Sequence, residues 1–167
     1  WMILNEPMVF TGAGYFLGVH APGKKGLNNF LSSAHHAALC QAEGGRIVRS
    51  LLKDGKVGTT FSCSYIQPYG HSLNDFLAAN RIDTLLNRMF IEPLAGLGYP
   101  VKDLNLLQRM ENYIKDGDEA KLAFNMDFIG LQNYTRELVS ASIFTPMIWA
   151  RIVNADRRKV ETTVMNW

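Results

Sequence analysis

The sequence predicts an α/β fold built on parallel strands. Three short apolar runs each end abruptly in polar residues, and segments with apolar residues at helical spacing separate these runs. Strands that alternate with helices in this way pair in parallel and are joined by right-handed crossovers. The chain of 167 residues is 47% hydrophobic and 19% charged, which is typical of a globular protein. Its net charge of +2 gives no electrostatic reason to expect a nucleic acid or an acidic membrane as partner.

The local patterns predict the elements in a definite order along the chain. They are a strand at 1–4, a long ordered loop at 8–28, a helix over about 30–53, a strand at 57–66, a helix at 73–95, a helix over about 103–115, a short helix near 118–124, a strand at 127–131, and a loop-like tail with an extended or helical stretch near 143–153.

The first half of the chain shows these signals clearly. The first strand ends at the polar turn 5–7, which is how a buried parallel strand meets a loop. The loop at 8–28 is predicted from its five glycines. Asn28 or Asn29 could cap the next helix, in which apolar residues recur every three or four positions, and the glycine pair at 44–45 interrupts that pattern.

The second half repeats the alternation. The strand at 57–66 alternates and is rich in Thr, Phe and Tyr, and the helix at 73–95 is broken by the glycine- and proline-containing run 96–100. The third strand reads Asp-Phe-Ile-Gly-Leu and runs into polar residues at 132–135. A strand that begins at residue one, with no turn before it, indicates a segment of something larger.

Two architectures fit this order, a doubly wound sheet and a (β/α)8 barrel. Both place functional sites at the carboxyl ends of the strands, and the polar residues gather there, at 5–6, at Gln67 and at 132–134. No Gly-rich phosphate turn directly follows a strand, which disfavours dinucleotide binding. Three strands alone cannot close a barrel, so the pattern by itself predicts an α/β segment.

Glu6 is the residue that indicates chemistry. A carboxylate at the end of a buried strand and before a proline has little freedom, and partial burial favours the protonated form that a general acid needs. The alternative is an ordinary loop carboxylate, and the tripeptide Asn-Glu-Pro alone does not separate the two readings.

Five blocks of sequence, however, share one order and spacing with a known family. They are Trp1-Met2-Ile3-Leu4-Asn5-Glu6-Pro7; Gly14-Tyr15, Gly18 and Ala21-Pro22-Gly23; Ala34-His35-His36; Asn87-Arg88 with Phe90, Pro93-Leu94 and Gly98-Tyr99-Pro100; and Asp127-Phe128-Ile129-Gly130-Leu131-Gln132-Asn133-Tyr134-Thr135. Together they resemble the β-glucosidases of glycoside hydrolase family one over the whole chain.

The resemblance implies a fold and an activity. The fold is a (β/α)8 TIM barrel, of which residues 1–167 are an internal three-strand segment, strands four to six, in a single domain. The activity is that of a retaining β-glucosidase, which hydrolyses terminal β-D-glucosyl residues by double displacement, with β-galactosyl and β-fucosyl residues as further candidates. The implied partners are a β-glucoside or oligosaccharide substrate and the remainder of the same barrel, with no cofactor, metal, nucleic acid or membrane.

The resemblance also assigns site residues. Glu6 corresponds to the acid/base, and Asn5 to the Asn that hydrogen-bonds the sugar 2-hydroxyl. Tyr134 corresponds to the tyrosine that contacts the nucleophile, and Gln132 stands where the family usually has Asn. Trp149 falls in the region where the family builds its aglycone entrance. The family's nucleophile lies on strand seven in a Thr/Ser-Glu-Asn-Gly motif that these residues do not contain, so the segment alone is expected to be inactive.

Two alternatives to this activity remain open. One is a non-catalytic carbohydrate-binding or scaffold protein on the same barrel. The other, within the enzyme class, is a 6-phospho-β-glucosidase, which the chain resembles less.

Several other residues have ordinary structural interpretations. His35 and His36 are expected to be core or hydrogen-bonding residues, and no pair of histidines has zinc-site spacing. Cys40 and Cys63 are expected to be buried free thiols, which is compatible with a cytoplasmic location. The basic cluster at 157–159 is expected to be solvated surface.

Overall fold

The structure is a computed structural model that describes residues 1–153, 161, 163 and 164. Its elements are β1 (Met2–Asn5), α1 (Pro7–Thr11), a π-helix (Gly12–Leu17), α2 (Leu27–Leu51), β2 (Gly58–Ser62), β3 (Tyr65–Pro68), α3 (Leu73–Asp83), a second π-helix (Thr84–Arg88), α4 (Met89–Ile91), a 3-10 helix (Asn105–Asn112), α5 (Asp118–Leu122), β4 (Phe128–Gln132), β5 (Arg136–Ala141) and β6 (Ala150–Ile152). The basic cluster at 157–159 lies outside the described residues.

The main sheet is parallel and has the order β1-β2-β4. Each of its strands pairs with the next strand of the same sheet along the chain. This is how a barrel winds, whereas a doubly wound sheet reverses its strand order at a switch point. Thr60 of β2 lies between Asn5 of β1 and Gly130 of β4, so the three strands end at the same edge.

A second, smaller sheet follows the carboxyl ends of β2 and β4. In it β3 pairs in parallel with β5, and β5 pairs antiparallel with β6. The prediction of one strand over 57–66 was therefore wrong, because the chain leaves the main sheet after Ser62 and enters the second sheet at Tyr65. The loop expected at 136–141 was also wrong. Only three consecutive residues of β5 are buried, which gives a weak strand pattern.

The first predicted loop is largely helical. Pro7 starts α1 at the first turn, where its missing N–H is not needed by the helix. The π-helix that follows contains Gly14, and a Cβ atom there would lie 2.5 Å from the carbonyl oxygen of Ala21. This glycine thus serves a close backbone approach, and its presence did not indicate a loop.

Helix α2 runs through its glycine pair without a break. A Cβ atom on Gly45 would lie 2.6 Å from the ring of Phe124, and one on Gly44 would lie 3.0 Å from Ile3. The pair therefore lets the helix pack closely against the segment before β4 and against β1. The predicted asparagine cap was wrong, because Gly26 occupies the cap position and both asparagines lie inside the helix.

The helical region at 73–95 is divided into three pieces. Ser72 caps its start by accepting a hydrogen bond from the Asp75 N–H at 3.1 Å. A π-helical turn replaces regular helix after Asp83, and the last piece ends before Pro93. The helix expected over 103–115 is a 3-10 helix instead.

The hydrophobic core lies between the main sheet, α2 and the connections that follow α3. Its buried members are Phe30, Leu31, Ala34, Ala42, Val57, Phe61, Met89, Phe90, Leu94, Leu104, Leu106, Leu107, Met110 and Phe124. Of the two free cysteines, Cys40 is exposed, contrary to expectation, because it lies on the outer face of α2. Cys63 is half-buried and follows β2; burial, and to a lesser degree Asp83, raises the pKa of its thiol.

Asp127 ties the starts of two strands to the long helix. Its Oδ2 accepts hydrogen bonds from the N–H of Val57 at 2.8 Å and from Arg49 at 2.8 Å. These bonds, first the backbone one and then the guanidinium one, lower the pKa of the Asp127 carboxyl. The carboxylate therefore fixes where β2 begins relative to β4.

We expect Gly58→Ala to destabilise the protein by roughly 1–3 kcal/mol, the range for forced overpacking. A Cβ atom at this position would lie 2.2 Å from the carbonyl oxygen of Phe128, so the β2–β4 ladder must distort. The matched control is Gly12→Ala, whose Cβ would meet only Met8 at 3.9 Å. Urea unfolding of both variants, each made in the longer protein of which residues 1–167 are expected to be a segment, measures the effect, and equal midpoints would contradict this account of the sheet.

We expect the stability of the protein to fall in acid partly through Asp127. Because folding lowers the pKa of this carboxyl, its contribution is present above the unfolded value of about 4 and is lost as pH falls through the folded value. Asp127→Asn should therefore be less stable than the native protein at pH 7, with a difference that shrinks below about pH 4. Unfolding curves across pH, recorded on the same longer protein, measure this difference. A difference that stays constant into acid would assign the loss to something other than charge.

Candidate active site

Four of the five residues expected at the site lie at one edge of the main sheet. Asn5 ends β1, Gln132 ends β4, and Glu6 and Tyr134 follow these strands. A bulge in β1 precedes them, since three steps from Met2 to Asn5 match only two steps on β2. Bulges of this kind re-aim side chains and occur beside active sites.

The backbone of Glu6 is held in an uncommon conformation. Its φ of 48° and ψ of 63° are left-handed, which costs a residue with a Cβ atom about 1–2 kcal/mol. Two kinds of contact hold it there. The Glu6 N–H donates to the carbonyl of Thr60 at 3.0 Å, and its own carbonyl accepts from the N–H of Val9 at 2.9 Å in the first turn of α1. Such strain concentrates at functional positions.

The side chain of Glu6 shows a second unusual property. Its Oε1 atom is buried and has no hydrogen-bond partner among the described residues. A buried polar oxygen without a partner is costly, and such an atom in a native protein is typical of a catalytic group or of one that binds a water, an ion or a ligand. A carboxyl group in this state can exchange a proton with a ligand oxygen that reaches it.

Asn5, Gln132 and Tyr134 form one chain of hydrogen bonds. The Oδ1 of Asn5 accepts from the hydroxyl of Thr60 at 2.8 Å and from the Nε2 of Gln132 at 2.7 Å. The Tyr134 hydroxyl donates to the Oε1 of Gln132 at 2.5 Å. These bonds fix the amide of Asn5 with its oxygen toward β2 and β4. Its NH2 group, which makes no hydrogen bond to a described residue, is left as a donor.

Sequence reasoning missed Thr60 at this edge, and it did not indicate the contact that Asn133 makes. Thr60 links Asn5 and Glu6 to β2 through both its hydroxyl and its carbonyl. The amide of Asn133 donates to the carbonyl of Cys63 at 3.0 Å and so joins the ends of β2 and β4. The alternation of the second strand marks Thr60 as a strand residue, but only the register between strands shows which residue it contacts.

Trp149 is the expected residue that the structure does not bring to this edge. It lines a separate cleft together with residues of α3 and of the segment 102–109, and no residue of the hydrogen-bonded chain lines that cleft. Its assignment as a substrate contact stays a prediction.

The histidine pair on α2 makes its hydrogen bonds to residues other than the four clustered ones. His35 is fully buried, with Nδ1 at 3.0 Å from the Tyr99 hydroxyl and Nε2 at 3.2 Å from Asp118. Burial, together with the nearby Asp118 charge, raises the pKa of Tyr99, and hydrogen bonds from the Lys115 N–H and from His35 lower that of Asp118. His35 is thus the expected core residue, whereas its neighbour His36 is exposed.

Two kinds of feature are absent from the described part of the chain. No group of three or more His, Cys, Asp or Glu side chains is placed to hold a metal ion there. None of the helices in that part is long and apolar enough to cross a membrane.

Comparison with known protein families gives one consistent match. The profile of Glycosyl hydrolase family 1 matches residues 1–167. Beta-glucosidase A of Acetivibrio thermocellus is 30% identical over 174 residues, which cover 100% of this chain and 38% of that relative. Beta-glucosidase 42 of Arabidopsis thaliana is 32% identical over 147 residues, which cover 84% of this chain and 30% of that relative. The chain thus spans at most about 38% of the length of these two relatives.

Solved structures agree with the sequence relatives. A family 1 β-glucosidase from Thermotoga maritima superposes with a TM-score of 0.89 at 28% identity, covering 100% of this chain and 37% of that one. A β-glucosidase from Exiguobacterium marinum gives a TM-score of 0.88 at 29% identity, with coverages of 100% and 38%. These superpositions confirm the prediction that the chain is a three-strand segment of a (β/α)8 barrel.

Proposed function

The chain belongs to glycosyl hydrolase family 1, and from this premise we propose that it supplies the acid/base side of a retaining β-glucosidase active site. The observation that carries the proposal is Glu6. Its backbone is held in a left-handed conformation at the end of β1, and one of its carboxyl oxygens is buried without a partner among the described residues. A substrate oxygen would supply the missing partner.

The proposed reaction is a double displacement with retention of configuration. Glu6 protonates the glycosidic oxygen while a second carboxylate attacks the anomeric carbon, so that a glycosyl-enzyme forms and the aglycone leaves. Glu6 then takes a proton from water, which attacks the anomeric carbon and releases the sugar. The second carboxylate is expected outside these 167 residues, at about 5–5.5 Å from Glu6.

The neighbours of Glu6 have supporting roles in this proposal. The free NH2 group of Asn5 donates to the sugar 2-hydroxyl, and Gln132 orients that amide from β4. The Tyr134 hydroxyl lies on the other side of Gln132, where it would approach the nucleophile. The direction of the Asn5 amide supports its role, because both donors to its oxygen lie within the chain.

The proposed substrates are β-D-glucosides, with β-galactosides and β-fucosides as further candidates. The relatives that are named β-glucosidases support this substrate class. We propose a cytoplasmic location, which the two free thiols support. We also propose that the reaction uses no metal and no organic cofactor, since two carboxylates suffice for it.

The proposed partner of the chain is the remainder of one barrel domain. The main sheet has two outer strands, β1 and β4, among the described residues, and these carry large exposed apolar side chains. Met2 is 64% exposed and Leu131 is 66% exposed. Unpaired strand edges with apolar side chains are unstable in water unless other strands cover them, so residues 1–167 would form the central segment of a single domain.

We expect Glu6→Gln to lower turnover of an aryl β-D-glucoside by roughly 10²–10⁴, the range for loss of general acid/base catalysis. The experiment uses the protein that carries this chain together with the rest of its barrel. Glutamine keeps the shape of the side chain and removes the transferable proton. Glu111→Gln is the control, because Glu111 is an exposed carboxylate on the 3-10 helix.

Added azide should partly restore turnover in Glu6→Gln, since this anion attacks the glycosyl-enzyme without a general base. Unchanged activity in Glu6→Gln would place the chemistry elsewhere. An inactive parent protein would favour the carbohydrate-binding alternative.

We expect the polypeptide 1–167, produced alone, to associate with itself and to lack a cooperative thermal transition, because its outer strands are unpaired. Adding a polypeptide that carries the remaining strands should yield a complex of defined size with a cooperative melt. Size-exclusion chromatography and calorimetry measure both states. A monomeric 1–167 with a cooperative melt would refute the need for a complement.

A further inference from the structure

A cleft of about 510 Å³ lies apart from the strand ends, between α3, the segment 102–109 and the segment 147–149. Its volume falls within the range of about 300–1,000 Å³ that is usual for small-molecule sites. None of the four clustered site residues lines it. The proposed hydrolysis therefore leaves this cleft without a role.

Three cationic side chains line the cleft without a carboxylate partner within residues 1–153. They are Arg81, Lys102 and Arg109. Arg109 donates to the neutral amide oxygen of Asn28 at 3.1 Å, and Arg81 donates to backbone carbonyls only. Lys102 is exposed and makes no hydrogen bond or ion pair to a described residue.

Asp103, the acidic residue among the described lining residues, offsets at most one of these three positive charges, since Arg88, which binds it, is also paired with Glu92. Asp103 accepts hydrogen bonds from Asn80 at 3.1 Å and from Arg88 at 2.9 Å, and Arg88 belongs to no wall of the cleft. The amide of Asn80 and then the guanidinium of Arg88 lower the pKa of the Asp103 carboxyl. The cleft therefore has a positive field, which attracts anions and repels cations.

Trp149 gives the cleft a flat apolar surface. Its side chain is 48% exposed, and its backbone φ of 51° is left-handed, as is the φ of 73° at Met147. Several hydrogen bonds hold the backbone of Trp149 in this conformation. The Trp149 N–H donates to the carbonyl of Thr145 at 2.7 Å, and its carbonyl accepts from Ser142 and Arg81. A bulky residue fixed in a strained conformation with an exposed ring is typical of a ligand clamp.

The rest of the apolar lining comes from aliphatic and thioether side chains, those of Leu77, Leu106 and Met147. An aromatic ring could stack on the indole and contact these groups. Lys102 and Arg109, which also line the cleft, could bind an oxyanion on that ring. A neutral ring would leave the cations without a counter-charge, and a small inorganic anion would leave the indole uncovered.

We propose that this cleft binds a small aromatic acid, with the ring on Trp149 and the carboxylate between Lys102 and Arg109. The chemistry that defines the ligand class is a planar ring joined to one oxyanion. The site is independent of Glu6, so this proposal stands or falls separately from the proposed hydrolysis.

The test is calorimetric titration with trans-cinnamate, and with cinnamyl alcohol as the uncharged analogue, of the protein that carries this chain together with the rest of its barrel. Cinnamate should bind and the alcohol should bind at least about tenfold more weakly, because hydrogen bonds to charged groups contribute about 1.5–3 kcal/mol. Raising the salt concentration from about 0.05 to 0.5 M should weaken cinnamate binding several-fold, since salt screens exposed charges.

Variants locate the binding. Lys102→Gln and Arg109→Gln should each weaken cinnamate binding about fivefold or more, at or above the upper range for exposed charge pairs. Lys53→Gln is the matched control, because Lys53 is an exposed lysine beyond the end of α2 and does not line the cleft. Glu6→Gln should bind cinnamate as the native protein does.

Four results would overturn the proposal. The first is no cinnamate binding up to about 10 mM, where the binding free energy would be weaker than about 3 kcal/mol. The second is equal binding of the acid and the alcohol, and the third is that Lys102→Gln and Arg109→Gln both bind cinnamate as tightly as the Lys53→Gln control. The fourth is loss of cinnamate binding in Glu6→Gln. Circular dichroism of each variant shows that a lost signal does not come from unfolding.

Discussion

The parallel pairing of β1 with β2 and of β2 with β4 is the constraint on which the rest of the structure depends. It places Thr60 between the two outer strands. The carbonyl of Thr60 therefore accepts a hydrogen bond from the N–H of Glu6, and its hydroxyl donates one to the Oδ1 of Asn5. The bulge in β1 sets how these two side chains leave the strand. The left-handed Glu6 and its unpartnered oxygen follow from this pairing, because neither would persist in an isolated strand end.

Much of the fold could be predicted from the sequence, and the exceptions have a common cause. Strands and long helices were found because their apolar periodicity is strong. Glycines misled the prediction: Gly14 and Gly45 suggested a loop and a helix break, yet each makes room for a close neighbour, Ala21 and Phe124 respectively. A sequence shows that a glycine is present but does not show what it faces. Strand β5 was not predicted, because its apolar pattern is weak. Its burial comes from contacts with α3 and with the other strands of its sheet, which the local sequence does not show.

For the site, the sequence indicated which residues take part but not which contacts they make. The sequence indicated Glu6, Asn5 and Gln132, because polar residues directly after apolar strands meet at one edge of a parallel sheet. It did not indicate that Thr60 and Gln132 both donate to the oxygen of Asn5, since that contact depends on register. Trp149 differs from these residues, and its assignment as a substrate contact stays a prediction. The resemblance placed it in the region of the aglycone entrance, and in the structure the second sheet carries the chain to a cleft that none of the other four site residues lines.

The separation of the site residues along the chain also has a consequence for folding kinetics. Asn5 and Thr60 are 55 positions apart, and Asn5 and Gln132 are 127 positions apart. Contacts of this range require closure of long loops, whose entropy must be overcome before the contact contributes, whereas α2 can form from neighbouring residues alone. The acid/base geometry at Glu6 is therefore among the last features that a newly synthesised chain acquires.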